Sequence, residues 1–194
     1  MLKTSLVIIL LSLTLSLIPA ISHAHTDHEE IQVKTTFEVN NRQQLSAISM
    51  VWLFDTFSST DKLQHEKDIN RLAKTLISDL SRFNFFTRIN TENERITANS
   101  VNRYKLTQVI DKDNNPALQL SFRLLLKKPI ALNTLKKIEI NHTDPTGQAL
   151  LYYDKSDDIA LTGQLKSKCK SAVKDKAEFI EGQFPQIALV VCRS

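Results

Sequence analysis

The order of apolar and polar residues predicts strands at the start of the folded chain. Between Ile31 and Val39 every second residue is apolar or threonine, which is the period of a strand with one buried face. After a polar turn at residues 40–44, the run from Leu45 to Phe54 is apolar on both faces, which is typical of a central strand. The two runs together predict a hairpin.

One long amphipathic helix is predicted next, over residues 58–83. Its apolar residues recur at spacings of three and four and so form one stripe: Ile69, Leu72, Ala73, Leu76, Leu80 and Phe83. Ser58, Ser59 or Thr60 is expected to cap the helix start. Asp55 follows the second strand, and capping or orienting the loop is its expected role.

Beyond the helix, further runs have strand character and are separated by polar turns. These runs are FNFFTRI, VNRYKLTQVI, LQLSFRLLL, LKKIEIN, LLYY, DIALT and IALVVC. Residues 165–182 are highly charged, and their weak helical pattern leaves the type of element open. The expected fold class is therefore α+β, with mostly antiparallel sheet or sheets and one long amphipathic helix inserted after the second strand.

The first 24 residues have the pattern of a cleavable signal peptide. Lys3 precedes an uncharged run from Leu6 to Ile21, and small residues flank His23 at the expected cleavage site after Ala24. A membrane anchor and a cut after Ala20 are the alternatives. We expect residues 1–24 to be a signal peptide, residues 25–194 to be a single α+β domain, and the protein to act in the periplasm.

The charge of the chain excludes some partners. There are 25 Lys and Arg residues against 21 Asp and Glu, and they are spread too evenly to favour a nucleic acid. No segment after the leader is apolar enough to predict stable membrane insertion. The chain has two cysteines, Cys169 and Cys192, and in an exported protein such a pair is expected to form a disulfide, although a two-thiolate metal site is the alternative.

Several motifs, taken together in order, resemble a known family. They are Trp52-Leu53-Phe54-Asp55 with Phe57-Ser58, then Phe85-Phe86-Thr87, then Asp144-Pro145-Thr146, with Cys169 further on. This ordered set is similar to the bacterial family called domain of unknown function 1007. Members are often labelled periplasmic components of an uncharacterised ABC-type transport system. The resemblance implies export and an association with nickel, cobalt or zinc uptake, and it supplies no activity or catalytic residues.

Two departures from the family pattern affect any candidate metal site. Family members commonly carry His-Pro-His before the first strand, whereas here the nearest elements are His23-Ala24-His25 and His25-Thr26-Asp27-His28. The Asp-Pro-Thr motif of the family usually runs directly into aromatic residues. Here residues 147–151 intervene before Tyr152-Tyr153.

Histidines at the new N-terminus are the main candidates for metal binding. Cleavage after Ala24 would give His25 a free amine beside its imidazole, and both groups lose protons near neutral pH. His28 and the acids around it would add nitrogen and oxygen donors that suit zinc, nickel and copper. The competing interpretation is a loose polar terminus with incidental histidines.

Two further candidates, His142 and Asp144, follow a predicted strand, where a loop could direct both at one ligand. Asp-Pro is equally a turn signal, so Asp144 could simply stabilise its own turn. His65, near the predicted helix start, is less specific. A composite site of His25, His28, His65 and His142 would need all four side chains to converge, which the sequence does not predict.

The function predicted from these patterns is that of a periplasmic accessory protein that binds a divalent transition metal. Zinc is the first choice, then nickel or copper, and the partner is a membrane metal transporter. The alternative is a metal-free periplasmic interaction module that docks on a transporter or envelope protein. We expect no enzyme, because no nucleophile elbow, His-Glu-x-x-His, Cys-x-x-Cys or phosphate loop is present.

Overall fold

Strands make up more than half of the described chain. The computed structural model describes residues 28–175 and 186–193, so the predicted signal peptide and His25 lie outside it. The strands are β1 (Glu29–Val39), β2 (Gln44–Phe54), β3 (Thr87–Thr91), β4 (Arg95–Ile96), β5 (Ala98–Ile110), β6 (Pro116–Ala131), β7 (Lys137–His142), β8 (Ala149–Tyr152), β9 (Ile159–Leu161), β10 (Cys169–Asp175) and β11 (Gln186–Cys192). The helices are α1 (Thr56–His65), α2 (Ile69–Arg82) and α3 (Gln164–Lys168), with 3-10 turns at Asn84–Phe86 and Ser156–Asp158.

The strands form two sheets. The first has the order β5-β6-β2-β1-β8, with β9 also paired to β1, and the second has the order β10-β11-β7-β3-β4. The pairs of β1 with β8 and with β9 are parallel, whereas the other pairs are antiparallel. The predicted hairpin is present as β1 and β2, with Ile31 opposite Phe54.

The core lies between the inner faces of the two sheets. Alternate residues of β1 are buried, as the period of its sequence predicted. β2 is the middle strand of its sheet, as its apolar residues on both faces predicted. Trp52 of the first sheet is fully buried and lies within 6.4 Å, centroid to centroid, of the His142 ring of the second sheet. Burial of large side chains such as Trp52 and Phe37 is the main stabilising contribution here.

The predicted α+β fold with one long inserted helix is wrong. The described chain is mostly β, with two sheets and three short helices. The expected helix over residues 58–83 is divided into α1 and α2, because the backbone is extended at Glu66 and Asp68. The Asp68 carboxylate accepts from the N–H groups of Asn70 and Arg71, at 2.9 and 3.2 Å, so it caps a new helix start.

The helix pattern was misleading for a simple reason. Acidic residues in the stretch 66–68 are compatible with the exposed face of a continuous helix, but they also compete for backbone N–H groups. Glu66 accepts from the backbone N–H of Asp68 at 2.9 Å, which stabilises the break. The undecided segment after residue 164 likewise becomes a short helix, α3, followed by the strand β10.

The predicted pairing of Cys169 with Cys192 is present. The two residues face each other across β10 and β11 and are joined by a disulfide that spans 23 positions. The bond therefore ties β10 to the final strand of the described chain. None of the helices in the described ranges is long and apolar enough to cross a membrane.

Candidate functional site

The start of β1 places His28 at the edge of a surface cavity. Glu29 pairs in parallel with Ala149, and its backbone N–H donates to the carbonyl of Gln148 at 2.9 Å. This pairing brings the preceding residue, His28, beside Gly147. Gly147 has a φ of 70°, a left-handed conformation that glycine adopts at little cost in the turn before β8.

The hydrogen bond of His28 determines which ring nitrogen carries the proton. Nδ1 lies 2.9 Å from the carbonyl oxygen of Gly147. Because a carbonyl oxygen only accepts, Nδ1 must donate, and in the neutral ring Nε2 then holds the lone pair. A metal-binding histidine usually donates its other ring N–H in this way, which orients the ring.

The cavity beside His28 has a volume of about 470 Å³ and is lined by two carboxylates, those of Glu29 and Asp61. Glu29 and Lys62 line it and form an ion pair with each other, so that acid already has a partner. Asp61 of α1 also lines the cavity and lies 3.6 Å from Nδ1 of His65. The groups that could bind a metal at this surface are Nε2 of His28 and the carboxylate of Asp61, whose contact with the exposed His65, at 3.6 Å, is longer than the Glu29–Lys62 ion pair.

Asp55 holds the elements around this cavity together. Its carboxylate accepts from the backbone N–H and hydroxyl of Ser58, both at 2.7 Å, and from the backbone N–H of Glu30 at 2.9 Å. Burial raises the pKa of Asp55, but these hydrogen bonds outweigh it and hold the pKa below its ordinary value. The expected capping role of Asp55 is confirmed, whereas the predicted caps Ser58, Ser59 and Thr60 lie inside α1. The bond to Glu30 ties α1 to β1.

His142 lies in the core, away from the surface where a metal would arrive. It is 2% exposed, ends β7 and lies opposite Thr87 of β3. Nδ1 is 3.1 Å from Thr87 Oγ1, and Nε2 is 2.8 Å from Tyr153 Oη. Burial lowers the pKa of His142 to about 3, so the ring is neutral at ordinary pH.

Donors and acceptors can be assigned in only one consistent way along this buried series of hydrogen bonds. Thr87 Oγ1 donates to the carbonyl of Phe85 at 2.6 Å, so it must accept from His142 Nδ1–H. Nε2 then accepts from the Tyr153 hydroxyl, which accepts in turn from Thr35 Oγ1 at 2.8 Å. Both ring nitrogens of His142 are therefore already used.

Asp144 is also sequestered. It is 2% exposed, and its carboxylate accepts from the backbone N–H groups of Thr146, Gln148 and Ala149 at 2.8, 3.0 and 2.8 Å. The Thr146 hydroxyl donates to both of its oxygens. Asp144 therefore stabilises the turn that carries Gly147. This role was the alternative to ligand binding considered from the sequence.

The structure does not bring the sequence candidates together. His28 and His65 are exposed, His142 is in the core, and His25 is outside the described residues. Within residues 28–175 and 186–193, no group of three or more His, Cys, Asp or Glu side chains is arranged to hold a metal ion. Sequence reasoning missed Asp61 and Gly147 as neighbours of His28, because no local pattern signals the parallel pairing of β1 with β8.

The fold and this surface define a two-sheet, mostly β protein with an exposed histidine cavity. A protein-family model described as "Protein of unknown function (DUF1007)" matches residues 8–180, and the chain belongs to that family. The resemblance noted in the sequence is thereby confirmed. A search of curated proteins found no match.

Proposed function

We propose that this protein is a periplasmic accessory protein that captures a divalent transition metal through its N-terminal histidines and supports a membrane metal transporter. Zinc is the first choice, with nickel or copper next. The role is one of binding, without a catalytic step.

The observation that carries the proposal is the hydrogen bond from His28 Nδ1–H to the carbonyl of Gly147. It selects the tautomer in which Nε2 holds a lone pair, and Nε2 has no partner among the described residues. The bond also restrains the ring, which reduces the entropy lost when a metal binds. His28 is thus oriented as a ligand before any ion arrives.

The remaining ligands would come from the chain just before His28 and from the cavity. His25 and Asp27 are near in sequence, and Asp61 lines the same cavity as His28. Imidazole nitrogen with carboxylate oxygen is a donor set that suits zinc, and a terminal amine with imidazole also suits copper and nickel. His142 and Asp144, considered from the sequence, have no part in this set.

A metal-free docking role is the second candidate, and it also has a specific observation in its favour. Phe57 of α1 is 72% exposed and lines the same cavity as His28. An exposed aromatic side chain at a cavity rim is typical of the anchors found in protein interfaces. In this alternative, a transporter or envelope protein would cover Phe57, and the histidines would be incidental.

Calorimetric titration of the processed protein with Zn²⁺, Ni²⁺ and Cu²⁺ tests the proposal. The protein should begin at His25, as verified by mass spectrometry, because another N-terminus removes the amine from that residue. We expect micromolar binding of at least one metal. Replacing the proposed ligand His28 by alanine (His28→Ala) should weaken metal binding about tenfold or more.

His65→Ala is the matched control, because His65 is also exposed and its Nδ1 also donates to a carbonyl, that of Asp61, at 2.9 Å. This variant removes the imidazole beside Asp61 but leaves both proposed ligands, His28 and Asp61, in place, so it should bind metal at least as tightly as the unchanged protein does. If none of the three metals produces heat or changes the thermal midpoint, the metal role is lost and the docking role is favoured.

A further inference from the structure

The strand β5 is an open edge of the first sheet. It pairs with β6 on one side, and no other strand within residues 28–175 and 186–193 pairs with it. It has 13 residues, whereas strands commonly have about 5–6. An edge strand directs unpaired backbone N–H and C=O groups away from its sheet, so a long edge is a template for pairing with another chain.

Residues 103–110 are the regular part of this edge. Register shifts interrupt the pairing with β6 before Arg103, but from Arg103 to Ile110 each residue has one partner on β6. Helix α2 packs against β5, yet the side chains of residues 103–105 are all exposed. Successive side chains of a strand point to opposite faces, so three exposed in succession show that both faces of the strand are open here.

One face of this edge is positively charged. Leu106 is buried in the core, so Arg103 and Lys105, at alternating positions, lie on the face that points away from the core. Both line a cavity of about 300 Å³, together with Arg123 and Glu38. The described residues that line this cavity therefore include three cations and one carboxylate.

That carboxylate already has partners. Nε of Arg123 donates to Glu38 at 2.7 Å, and the Ser49 hydroxyl also donates to it. Arg103 lies directly opposite Arg123 in the ladder, which places like charges together, and it interacts with Glu38 only from beyond ion-pair distance. In the described part of the chain, neither Arg103 nor Lys105 has an acidic oxygen within 4 Å. Carboxylates supplied by a partner are therefore favourable on this face.

The other face of the edge offers apolar contacts. Tyr104 is 45% exposed there. Four residues further on, Gln108 lines a cavity of about 240 Å³ with Leu63 of α1 and Pro116 of β6. An added strand would thus meet cations on one face and apolar surface on the other.

A second copy of this chain suits the edge poorly. Two β5 strands paired about a two-fold axis would bring two copies of Arg103 and of Lys105 onto one face of the joined sheet. The carboxylates added to that face would be those of Glu38, which are already paired with Arg123. Like charges on neighbouring strands destabilise a sheet, so an acidic partner is the better occupant.

We propose that the β5 edge binds an extended acidic segment of a partner protein, which adds a strand to the first sheet. The backbone of this segment pairs with residues 103–110. Its carboxylates, at alternate positions, face Arg103 and Lys105, and the apolar side chains between them face Tyr104 and the cavity beside Gln108. This surface shares no residue with the cavity beside His28, so the inference does not depend on metal binding.

Fluorescence anisotropy with labelled eight-residue peptides tests the inference. The acidic peptide alternates glutamate with valine, and the basic peptide alternates lysine with valine. We expect the acidic peptide to bind about tenfold or more tightly than the basic one, and its affinity to fall as salt is added.

A third peptide separates strand addition from charge attraction alone. It has the acidic sequence with a methyl group on every backbone nitrogen, so it keeps the carboxylates but has no N–H donors for β5. Its binding should be about tenfold or more weaker than that of the acidic peptide, because main-chain hydrogen bonds supply much of the affinity in this mode of recognition. Hydrogen exchange should also slow in residues 103–110 when the unmethylated acidic peptide binds.

Charge-reversal variants locate the surface. Arg103→Glu and Lys105→Glu should each weaken binding of the acidic peptide about tenfold or more. Lys174→Glu is the matched control, because Lys174 is exposed in β10, the edge of the second sheet, and the change in net charge is the same. This control should bind nearly as the unchanged protein does.

Four results would overturn the inference: no binding of the acidic peptide, undiminished binding of its methylated form, an equal loss in Lys174→Glu, or a protein dimer that protects β5 without any peptide. The last result would assign the edge to a second copy. Circular dichroism checks that each variant is folded, and if Arg103→Glu is unfolded, the comparison of Lys105→Glu with Lys174→Glu decides.

Discussion

His28 and His142 present the same tautomer in opposite surroundings. In each ring Nδ1 donates, to the carbonyl of Gly147 for His28 and to Thr87 Oγ1 for His142. Nε2 of His28 has no partner in the described part of the chain, whereas Nε2 of His142 accepts from the Tyr153 hydroxyl inside the core. A histidine can therefore act as a ligand only where the fold leaves the second nitrogen open, so the two regions should respond differently to mutation and pH.

Removing the buried imidazole should have the largest effect. In His142→Phe, the hydroxyls of Thr87 and Tyr153 each lose a partner inside the core. Each unsatisfied buried group costs about 1–3 kcal/mol, so we expect the free energy of unfolding to fall by about 3 kcal/mol. Chemical denaturation measures the change.

The matched variant at the exposed region is His28→Ala. It should change the free energy of unfolding by less than about 0.5 kcal/mol, because it alters an exposed side chain with one surface hydrogen bond. Equal losses of unfolding free energy in His142→Phe and His28→Ala would contradict this distinction between a buried imidazole with both nitrogens hydrogen-bonded and an exposed imidazole with one nitrogen free.

The dependence of the free energy of unfolding on pH should also reflect the burial of His142. Burial lowers the pKa of His142 to about 3, against an ordinary value of 6.5 in the unfolded chain. Between these values the unfolded state binds more protons, so the contribution to stability is complete above pH 6.5 and is lost as the pH falls. At about 1.4 kcal/mol per pH unit, the loss from pH 6.5 to 4.5 should be about 2–3 kcal/mol.

That pH window is chosen to isolate the histidine. The lowered pKa values of Glu38 and Asp55 refer to ordinary values of 4.5 and 3.8, so these carboxyls act mainly at lower pH. Denaturation curves at several pH values should show the dependence in the unchanged protein and in His65→Gln. His142→Gln should be nearly independent of pH in this range, and a variant that keeps the full slope would show that another group is responsible.

A smaller loss is expected from Tyr153→Phe. This change keeps the aromatic packing but removes the hydroxyl that donates to His142 Nε2 and accepts from Thr35 Oγ1. We expect a destabilisation of about 1–2 kcal/mol, measured by chemical denaturation, because the core is left with unmatched polar groups. Tyr152→Phe is the neighbouring control at a half-buried position and should lie within about 0.5 kcal/mol of the unchanged protein. A similar destabilisation by Tyr153→Phe and Tyr152→Phe would show that the buried hydrogen bonds of Tyr153 do not contribute to stability.

Local patterns in the sequence were sufficient for several features. Alternation of apolar residues in β1 and the apolar run of β2 predicted the β1–β2 hairpin, and two cysteines in a chain expected to be exported predicted their disulfide. The role of Asp55 as a cap followed from its place between a strand and a helix. The ordered motifs predicted the family. Each of these depends on neighbours in sequence, on pairing between only two partners, or on the order of short motifs.

Tertiary structure decided the rest, because it depends on residues that are far apart in the chain. One exception is local: whether residues 58–83 formed one helix or two was decided at Asp68, whose carboxylate either remains on a helix face or caps a new helix start. His142 and Asp144 were further candidates beside His28 in the sequence. The packing of the two sheets made His142 a core residue, whereas Asp144 stabilises its own turn, which was the alternative considered from the sequence. Arg82, Arg88 and Arg95 likewise line one cavity although they come from a helix end and two strands. An imidazole or a guanidinium has the same chemistry anywhere in the chain, but its free hydrogen-bonding positions are determined by what the fold packs around it.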